Sequence, residues 1–392
     1  MSQQLSARVN AVKPSPTLSI SARASALRAE GKDVLGLGVG EPDFNTPDHI
    51  KAAGIAAINE NKTRYTPVDG TVELKNAIIN KFKQQNQLDY KANQILVSSG
   101  GKQSFYNLAQ ALLNKGDEVI IPAPYWVSYP DMVLLAEATP VIVDADAAQN
   151  FKITPQQLQQ AITPKTRLFV LNSPSNPTGM SYSQAELKAL GAVLLEYPRI
   201  IIATDDMYEH IRWDDTPFVN IVNAEPRLYN RTLVLNGVSK AYCMTGWRIG
   251  YAGGPAEIIK AMKKIQSQST SNPASPSQAA AVAALNGPQE FIADMNKAFK
   301  ERHDYAVARL NNMAGIECLA TDGTFYLFPS IKGVMDKLNL TTDLAFSEYL
   351  IEKAGVAAVP GSAFGLANHL RLSIAVSMEV ITDALDRIEN II

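Results

Sequence analysis

Leu168-Phe169-Val170-Leu171, then Asn172-Ser173-Pro174-Ser175-Asn176-Pro177-Thr178-Gly179, then Ser183 with Glu186, then Ile200-Ile201-Ile202-Ala203: this stretch decides the fold. Two short apolar runs of strand length flank a segment patterned as an amphipathic helix. Ser183 followed three residues later by Glu186 is a capping box, so a helix is expected to start there. Strand, helix and strand in that order make a crossover whose two strands lie parallel. The alternation extends outward in both directions. Ile95–Ser98 reads as a strand, Gly100-Gly101 as a turn, and the residues to about Leu113 as a helix. Glu118–Ile121 follows the turn Lys115-Gly116-Asp117, and Leu233–Leu235 and Ile249–Ala252 continue the series. The expectation is an α/β fold with a mainly parallel sheet covered by helices on both faces.

After about Pro288 the pattern changes. A long helix is expected from Phe291 to about Met313, then strands at Phe325–Phe328 and Leu370–Ile374, with helices near Leu344–Ala354 and Val380–Ile391. This reads as a smaller α+β unit. A chain of 392 residues exceeds what one core usually holds. The expected division is an N-terminal arm over 1–45 that packs with the small domain, a large domain over 46–288, and a small C-terminal domain over 289–392.

Composition narrows the function. Hydrophobic residues make up 46% and charged residues 19% of the chain, with a net charge of −2, so a nucleic-acid or membrane-surface role has little electrostatic support. Cys243 and Cys318 are too few for a disulfide framework. His49, His210, His303 and His369 show no metal-ligand spacing, and no metal is expected. No apolar run is long enough to span a bilayer. Residues 1–29 are basic, serine-rich and poor in acids, as in a transit peptide, but a structured amphipathic arm is the preferred reading. Without an apolar leader core, a cytoplasmic place is expected.

Several polar, Gly- and Pro-rich patches are too particular for packing alone. Gly36-Leu37-Gly38-Val39-Gly40 fails as a dinucleotide motif, because Glu41-Pro42-Asp43 follows where a helix should begin. A tight loop whose amides border a small anion is the better reading. Ser98-Ser99-Gly100-Gly101-Lys102-Gln103 joins a strand to a helix N-terminus, where an anion is favoured. The loop Asn172–Gly179 holds two X-Pro bonds, one of them a candidate for cis, at a strand end where open α/β sheets hold ligands. Asp205-Asp206 ends another strand and offers a carboxylate to a cationic ring nitrogen. Lys240 lies past a strand end among small and apolar residues, with Arg248 eight positions on. Such surroundings lower an amine pKa and make it a nucleophile towards an aldehyde. Each patch has a plain alternative: a turn, a cap or a surface charge.

Taken in order, Glu41-Pro42-Asp43-Phe44, Tyr65, Gly100-Gly101-Lys102-Gln103, Pro124-Tyr125-Trp126, Ser175-Asn176-Pro177-Thr178-Gly179, Asp205 with Tyr208, Ser239-Lys240 with Arg248, and His369-Leu370-Arg371-Leu372-Ser373 resemble the class I/II aminotransferases of fold type I. The wording is similar to the bacterial aspartate aminotransferases of the thermophile-type subgroup, from about Leu5 to the C-terminus. The resemblance implies a mainly parallel seven-stranded sheet in the large domain and pyridoxal 5′-phosphate as cofactor. It implies Lys240 as the Schiff-base lysine and general base, Asp205 as partner of the pyridine nitrogen, and Tyr208 and Asn176 as donors to the ring oxygen. Trp126 would stack on the ring. Gly100, Gly101, Lys102 and Ser239 would border the phosphate, with Arg248 as its counter-charge. Tyr65 would reach the neighbouring subunit's cofactor in a homodimer with shared sites. Arg371 would clamp the substrate α-carboxylate, bordered by Gly40, while Lys102, Ser15 and Thr17 are candidates for a distal carboxylate.

Two positions depart from the family pattern. Gly237 stands where many relatives have serine, and Ser239 is not an assured replacement. Asp206 stands where many have glutamate. The implied reaction is ping-pong transfer between an amino acid, with L-aspartate leading, and 2-oxoglutarate, through pyridoxal and pyridoxamine forms of the cofactor. Alternatives are a donor range that is broader or different (aromatic amino acids, alanine) and a fold type I carbon–sulfur β-lyase. A transcription regulator with an aminotransferase-like effector domain would need a DNA-binding domain ahead of motifs that begin near residue 36. A catalytically dead scaffold is disfavoured, since only the Gly237 position lacks the expected residue.

Overall fold

The computed structural model describes residues 5–14, 16–214 and 216–392, and of residues 16–18 and 21 the backbone alone. Ser15 and the Thr17 side chain therefore lie outside the described residues. The strands, in chain order, are β1 (Leu35–Gly36), β2 (Ile95–Ser98), β3 (Glu118–Ala123), β4 (Thr139–Asp144), β5 (Thr166–Asn172), β6 (Ile201–Asp205), β7 (Thr232–Gly237), β8 (Gly250–Gly253), β9 (Tyr326–Leu327), β10 (Val356–Ala357), β11 (Val359–Pro360) and β12 (Leu370–Ser373).

β2 to β8 form one seven-stranded sheet in the order β2-β8-β7-β6-β5-β3-β4. Every neighbouring pair is parallel except those of β8, which runs antiparallel to β2 and β7. β2 and β7 are buried along their whole length, and β5 nearly so, because helices cover both faces. The helix Gln184–Leu195 starts at the Ser183 capping box, with both reciprocal bonds present, and buries Leu187, Leu190 and Leu194. The sequence reading assigned no strand to Thr139–Asp144. This segment forms the sheet edge, where Pro140 is tolerated and half-exposed residues dilute the apolar signal.

A separate apolar cluster gathers β9, β12 and the helices Glu290–Asn311 and Met378–Glu389 around Phe299, Phe325, Leu372 and Leu385. β12 pairs antiparallel with β9 and β11. β1 pairs parallel with β10, Leu35 opposite Val356, and Ile20, Ala24 and Leu27 of the helix Pro16–Ala29 bury beside Val34, Ile351 and Ala357. The described part of the basic N-terminal segment is thus largely helical, and its second helix is docked. Its first helix, Ala7–Ala11, packs on the helix Ser128–Leu135 of the large-sheet layer, and the Lys13 N–H donates to Asp131 at 3.5 Å. Among the described residues no helix is long and apolar enough to cross a membrane.

Candidate active site

Parallel strands end together, so the loops leaving β5, β6 and β7 open on one side of the sheet. Asn172 at the end of β5 lies opposite Asp205 at the end of β6. The Asn172 amide donates to the Asp205 carbonyl at 2.9 Å, and its Oδ1 accepts the Asn176 N–H at 2.8 Å. This ties the loop to the strand. Both X-Pro bonds in it, Ser173-Pro174 and Asn176-Pro177, are cis, as is Ala123-Pro124. Beyond the strand ends lies a cavity of about 320 Å³, lined by Gly40, Gly101, Lys102, Trp126, Asn176, Asp205, Tyr208, Ser239, Lys240, Arg248 and Arg371. Four of these are cationic and one is an acid, so the site is built for a ligand with several negative charges.

Asp205 turns its carboxylate into the cavity. Its Oδ2 accepts the Tyr129 hydroxyl at 2.5 Å and its Oδ1 the Met207 N–H at 3.3 Å. Burial pushes its pKa up, opposed by those two bonds and by Lys240. A cation placed against it would be strongly favoured.

Lys240 lies in the loop after β7, and its Nζ donates to the Gly40 carbonyl at 2.6 Å. Desolvation, then the Arg371 and Arg248 charges, outweigh Glu41 and Asp205 and lower its pKa to about 8. A neutral amine is therefore accessible near neutral pH. The glycine loop presents carbonyls rather than the amides expected from the sequence: Gly40 O faces Lys240, and Gly38 O accepts from Arg371 at 2.6 Å.

Arg371, on β12, is almost fully buried at 3% exposure. Its Nη1 donates to Asn176 Oδ1 at 2.9 Å. The guanidinium lies between two rings, with its carbon 4.4 Å from the Tyr326 centroid and 4.9 Å from that of Phe364. Its Nε has no partner among the described residues. Asn176 and Gly38 satisfy only part of a five-donor group, which can take a carboxylate from the cavity.

On the opposite wall, Gly100 caps the helix Gly101–Leu112 with φ +91°. The positive φ favours glycine, and a Cβ there would sit 2.3 Å from Arg248 Nη2, so the guanidinium would have to move from the turn. Lys102 at the rim holds its Nζ 5.2 Å from the Trp126 ring centroid, and its pKa is lowered by desolvation and then by Arg248. At Gly237 a Cβ would meet the Ile249 carbonyl at 3.0 Å and Gly250 Cα and Met207 Cε at 3.1 Å. A serine at Gly237 would need those neighbours to give way; Ser239 lines the cavity.

Tyr65, expected to act at a neighbouring subunit's site, lies outside this cavity. Tyr65 is 92% exposed and lies on a different surface groove, with Ala53, Ala57 and Val282. Sequence reasoning missed Tyr129, Met207, Thr245 and Tyr326. Tyr129 carried a signal, since it follows Trp126 by one helical turn and packs edge-on to it at 5.1 Å. Tyr326 carried none, sitting in an apolar strand. Among the described residues no group of His, Cys, Asp and Glu could hold a metal.

A doubly covered, mainly parallel seven-stranded sheet with this cavity at its strand ends has the architecture of the fold type I transferases. Within that class the chain belongs to the class I and II aminotransferases, whose family model matches residues 32–388. It is 58% identical over 395 residues to the aspartate/prephenate aminotransferase of Nitrosomonas europaea, covering 99% of this chain and 100% of that one. The crystal structure of the aspartate aminotransferase from Rhizobium meliloti superposes with a TM-score of 0.95 at 49% identity, over 99% of this chain and 98% of that one. The Thermus thermophilus aspartate aminotransferase solved with maleate gives 0.94 at 39% identity, over 100% of both chains.

Proposed function

We propose that the protein transfers an amino group from L-aspartate to 2-oxoglutarate, using pyridoxal 5′-phosphate held in the cavity described above. The observation that carries this is the meeting of Lys240, a desolvated amine lowered to about pKa 8, with Asp205, Arg248 and Arg371 in one cavity. The residues fit the cofactor. Arg248 and the Gly100-Gly101 helix start offer a cationic, amide-rich place for its phosphate. Asp205 matches a protonated ring nitrogen, Tyr208 and Asn176 the ring oxygen, and Trp126 the ring face. Bound there, pyridoxal phosphate supplies an aldehyde for amines and a ring that draws electron density from the substrate Cα.

The chain's own groups do the rest. Arg371 grips the α-carboxylate in a planar, two-donor contact and so fixes which Cα bond faces Lys240. Lys240 Nζ, in its neutral form, would take the proton from Cα and give it to the cofactor carbon that had been the aldehyde, which leaves the amine neutral again. Asp205, as a carboxylate, would hold a proton on the ring nitrogen. Lys102 at the rim is positioned for the second carboxylate of a dicarboxylic substrate, with Ser15 and Thr17 further candidates. Residues 46–288 act as the cofactor-holding unit, and 289–392 with the arm over 1–45 as the unit that brings Arg371. Exposed Tyr65, with Ile55, Ile58 and Val72, marks the face for a second copy of the chain, across which Tyr65 reaches the neighbouring site.

The relatives' names support a dicarboxylic donor, and maleate in the Thermus structure is itself a dicarboxylate. The name of the Nitrosomonas relative also makes prephenate, a keto acid with two carboxylates, a second acceptor to try. The test has two arms. Borohydride should fix cofactor to Lys240 in the wild type and leave Lys240→Ala unlabelled. Each amino acid is then mixed with holoenzyme and the keto acid identified. Oxaloacetate from aspartate is expected; pyruvate with ammonia would point to a β-lyase instead.

A further inference from the structure

Tyr326 touches more of the site than any role assigned so far uses. It is buried on β9, where Ser373 of β12 lies opposite it. Its hydroxyl is 3.0 Å from that of Tyr208, in a contact that either could donate. Its ring supports the Arg371 guanidinium at 4.4 Å. Its hydroxyl also fills the space beside Gly40, where a Cβ would lie 2.0 Å away. Gly40 is the residue whose carbonyl receives the Lys240 amine.

Two phenols at hydrogen-bond distance leave one proton between them and one free. If Tyr208 donates to Tyr326, Tyr208 has no proton for a cavity ligand. If Tyr326 donates, the Tyr208 proton points to the cavity and is made more acidic by the bond it accepts. We infer that Tyr326 is a positioning residue with two separable parts: its hydroxyl turns the Tyr208 proton towards the cavity, and its ring fixes the plane of Arg371. The first part rests on the proposed cofactor reading. The second rests on the guanidinium–ring contact, which gains most where water is excluded, as it is for a buried arginine.

The experiments keep these apart. Apoprotein melting needs no cofactor. Gly40→Ala should lower the melting temperature, and adding Tyr326→Phe should restore most of the loss, because the nearest remaining contact is a ring carbon at 3.1 Å. Additive losses would overturn the packing at Gly40. In holoenzyme, the pH midpoint of the bound cofactor's absorbance should rise in Tyr326→Phe by roughly one unit or less, in the direction of Tyr208→Phe but by a smaller amount. The KM for amino acids should stay near wild type in Tyr326→Phe and rise about tenfold or more in Tyr326→Leu. An unmoved midpoint in Tyr326→Phe, with Tyr208→Phe shifted, would refute the hydroxyl part while leaving the cofactor reading intact. Equal KM changes in the Phe and Leu variants would refute the ring part. A wild-type protein that takes up no pyridoxal phosphate would instead bring down the reading beneath the first part.

Discussion

Asp205 and Asp206 are adjacent and both are withdrawn from bulk water, yet their surroundings differ. Asp205 ends β6 and lines the cavity, whereas Asp206, the next residue past the strand, is not among its lining. Asp205 spends its bonds on Tyr129 and the Met207 amide and keeps a face open to the cavity. Asp206 is enclosed. It accepts the Thr204 hydroxyl at 2.7 Å and the Asn220 amide, and its neighbour Glu209 is bonded by Lys81, Asn86 and Asn236. Burial, then Glu209, push Asp206 up to about 7. Burial would raise Glu209 too, but Lys81 and then His210 outweigh it and hold it near 2. Burial and a perturbed pKa are thus common to both sides. What distinguishes Asp205 is an unfilled face towards a cavity.

Asp205→Ala should lower kcat by about 10³-fold or more, since nothing then holds a proton on a bound ring nitrogen, with little change in melting temperature. Asp206→Ala should do the reverse, leaving Thr204 and Asn220 unpaired at a cost of ~1–3 kcal/mol in denaturant unfolding, with kcat within tenfold. If Asp206→Ala is the more damaging to kcat, the carboxylate has been placed one residue early.

A second test addresses the enclosed side alone. Lys81→Ala leaves the Glu209 carboxylate buried without its cation, and about 3 kcal/mol of stability should go. The KM for aspartate should hold. A Lys81→Ala enzyme that melts normally but binds substrate poorly would merge the two sides into one functional unit.

The smallest effect is a pH dependence. Folded Asp206 keeps its proton to about pH 7, while the unfolded chain releases it near ~3.9. Between those values the folded state binds more protons, so stability falls as pH rises. Asp206→Asn stays neutral throughout and can keep both bonds if the Thr204 hydroxyl turns. The melting temperature of wild type relative to Asp206→Asn should therefore decline from about pH 5 to pH 7 and then level off. The total should be on the order of 2 kcal/mol, given the coupling to Glu209. A difference that grows in favour of wild type with pH would reverse the sign assigned to Asp206.

Much of this was legible because the signals were local. The Ser183 capping box, the apolar runs of β5 to β7 and the residues at their ends are each written within a few positions. The sheet order, with β8 antiparallel between β2 and β7, depends on pairings far apart in sequence, and no local pattern encodes them. No local pattern marks Lys81, on the helix Val72–Asn86, as half of a buried ion pair; its partner Glu209 is 128 residues away. Tyr326 was hidden for a different reason. A tyrosine in an apolar strand reads as core, and nothing local shows that its ring meets Arg371 or that its hydroxyl meets Tyr208.

Arg371 and the Gly38 carbonyl are 333 residues apart, and β1 waits for β10 before it has a partner. On the ribosome this sets an order of events. β3, β5, β6 and β7 emerge with their neighbours close behind, so the floor carrying Asp205 can form while synthesis continues. The glycine loop takes its partners from far along the chain: Lys240 at the Gly40 carbonyl, Ala357 beside β1, and Arg371 at the Gly38 carbonyl. A nascent chain halted before Leu370 can carry Lys240 and Asp205 but not Arg371, so on the proposed reading a substrate could not yet be gripped when the amine and the acid are already in place.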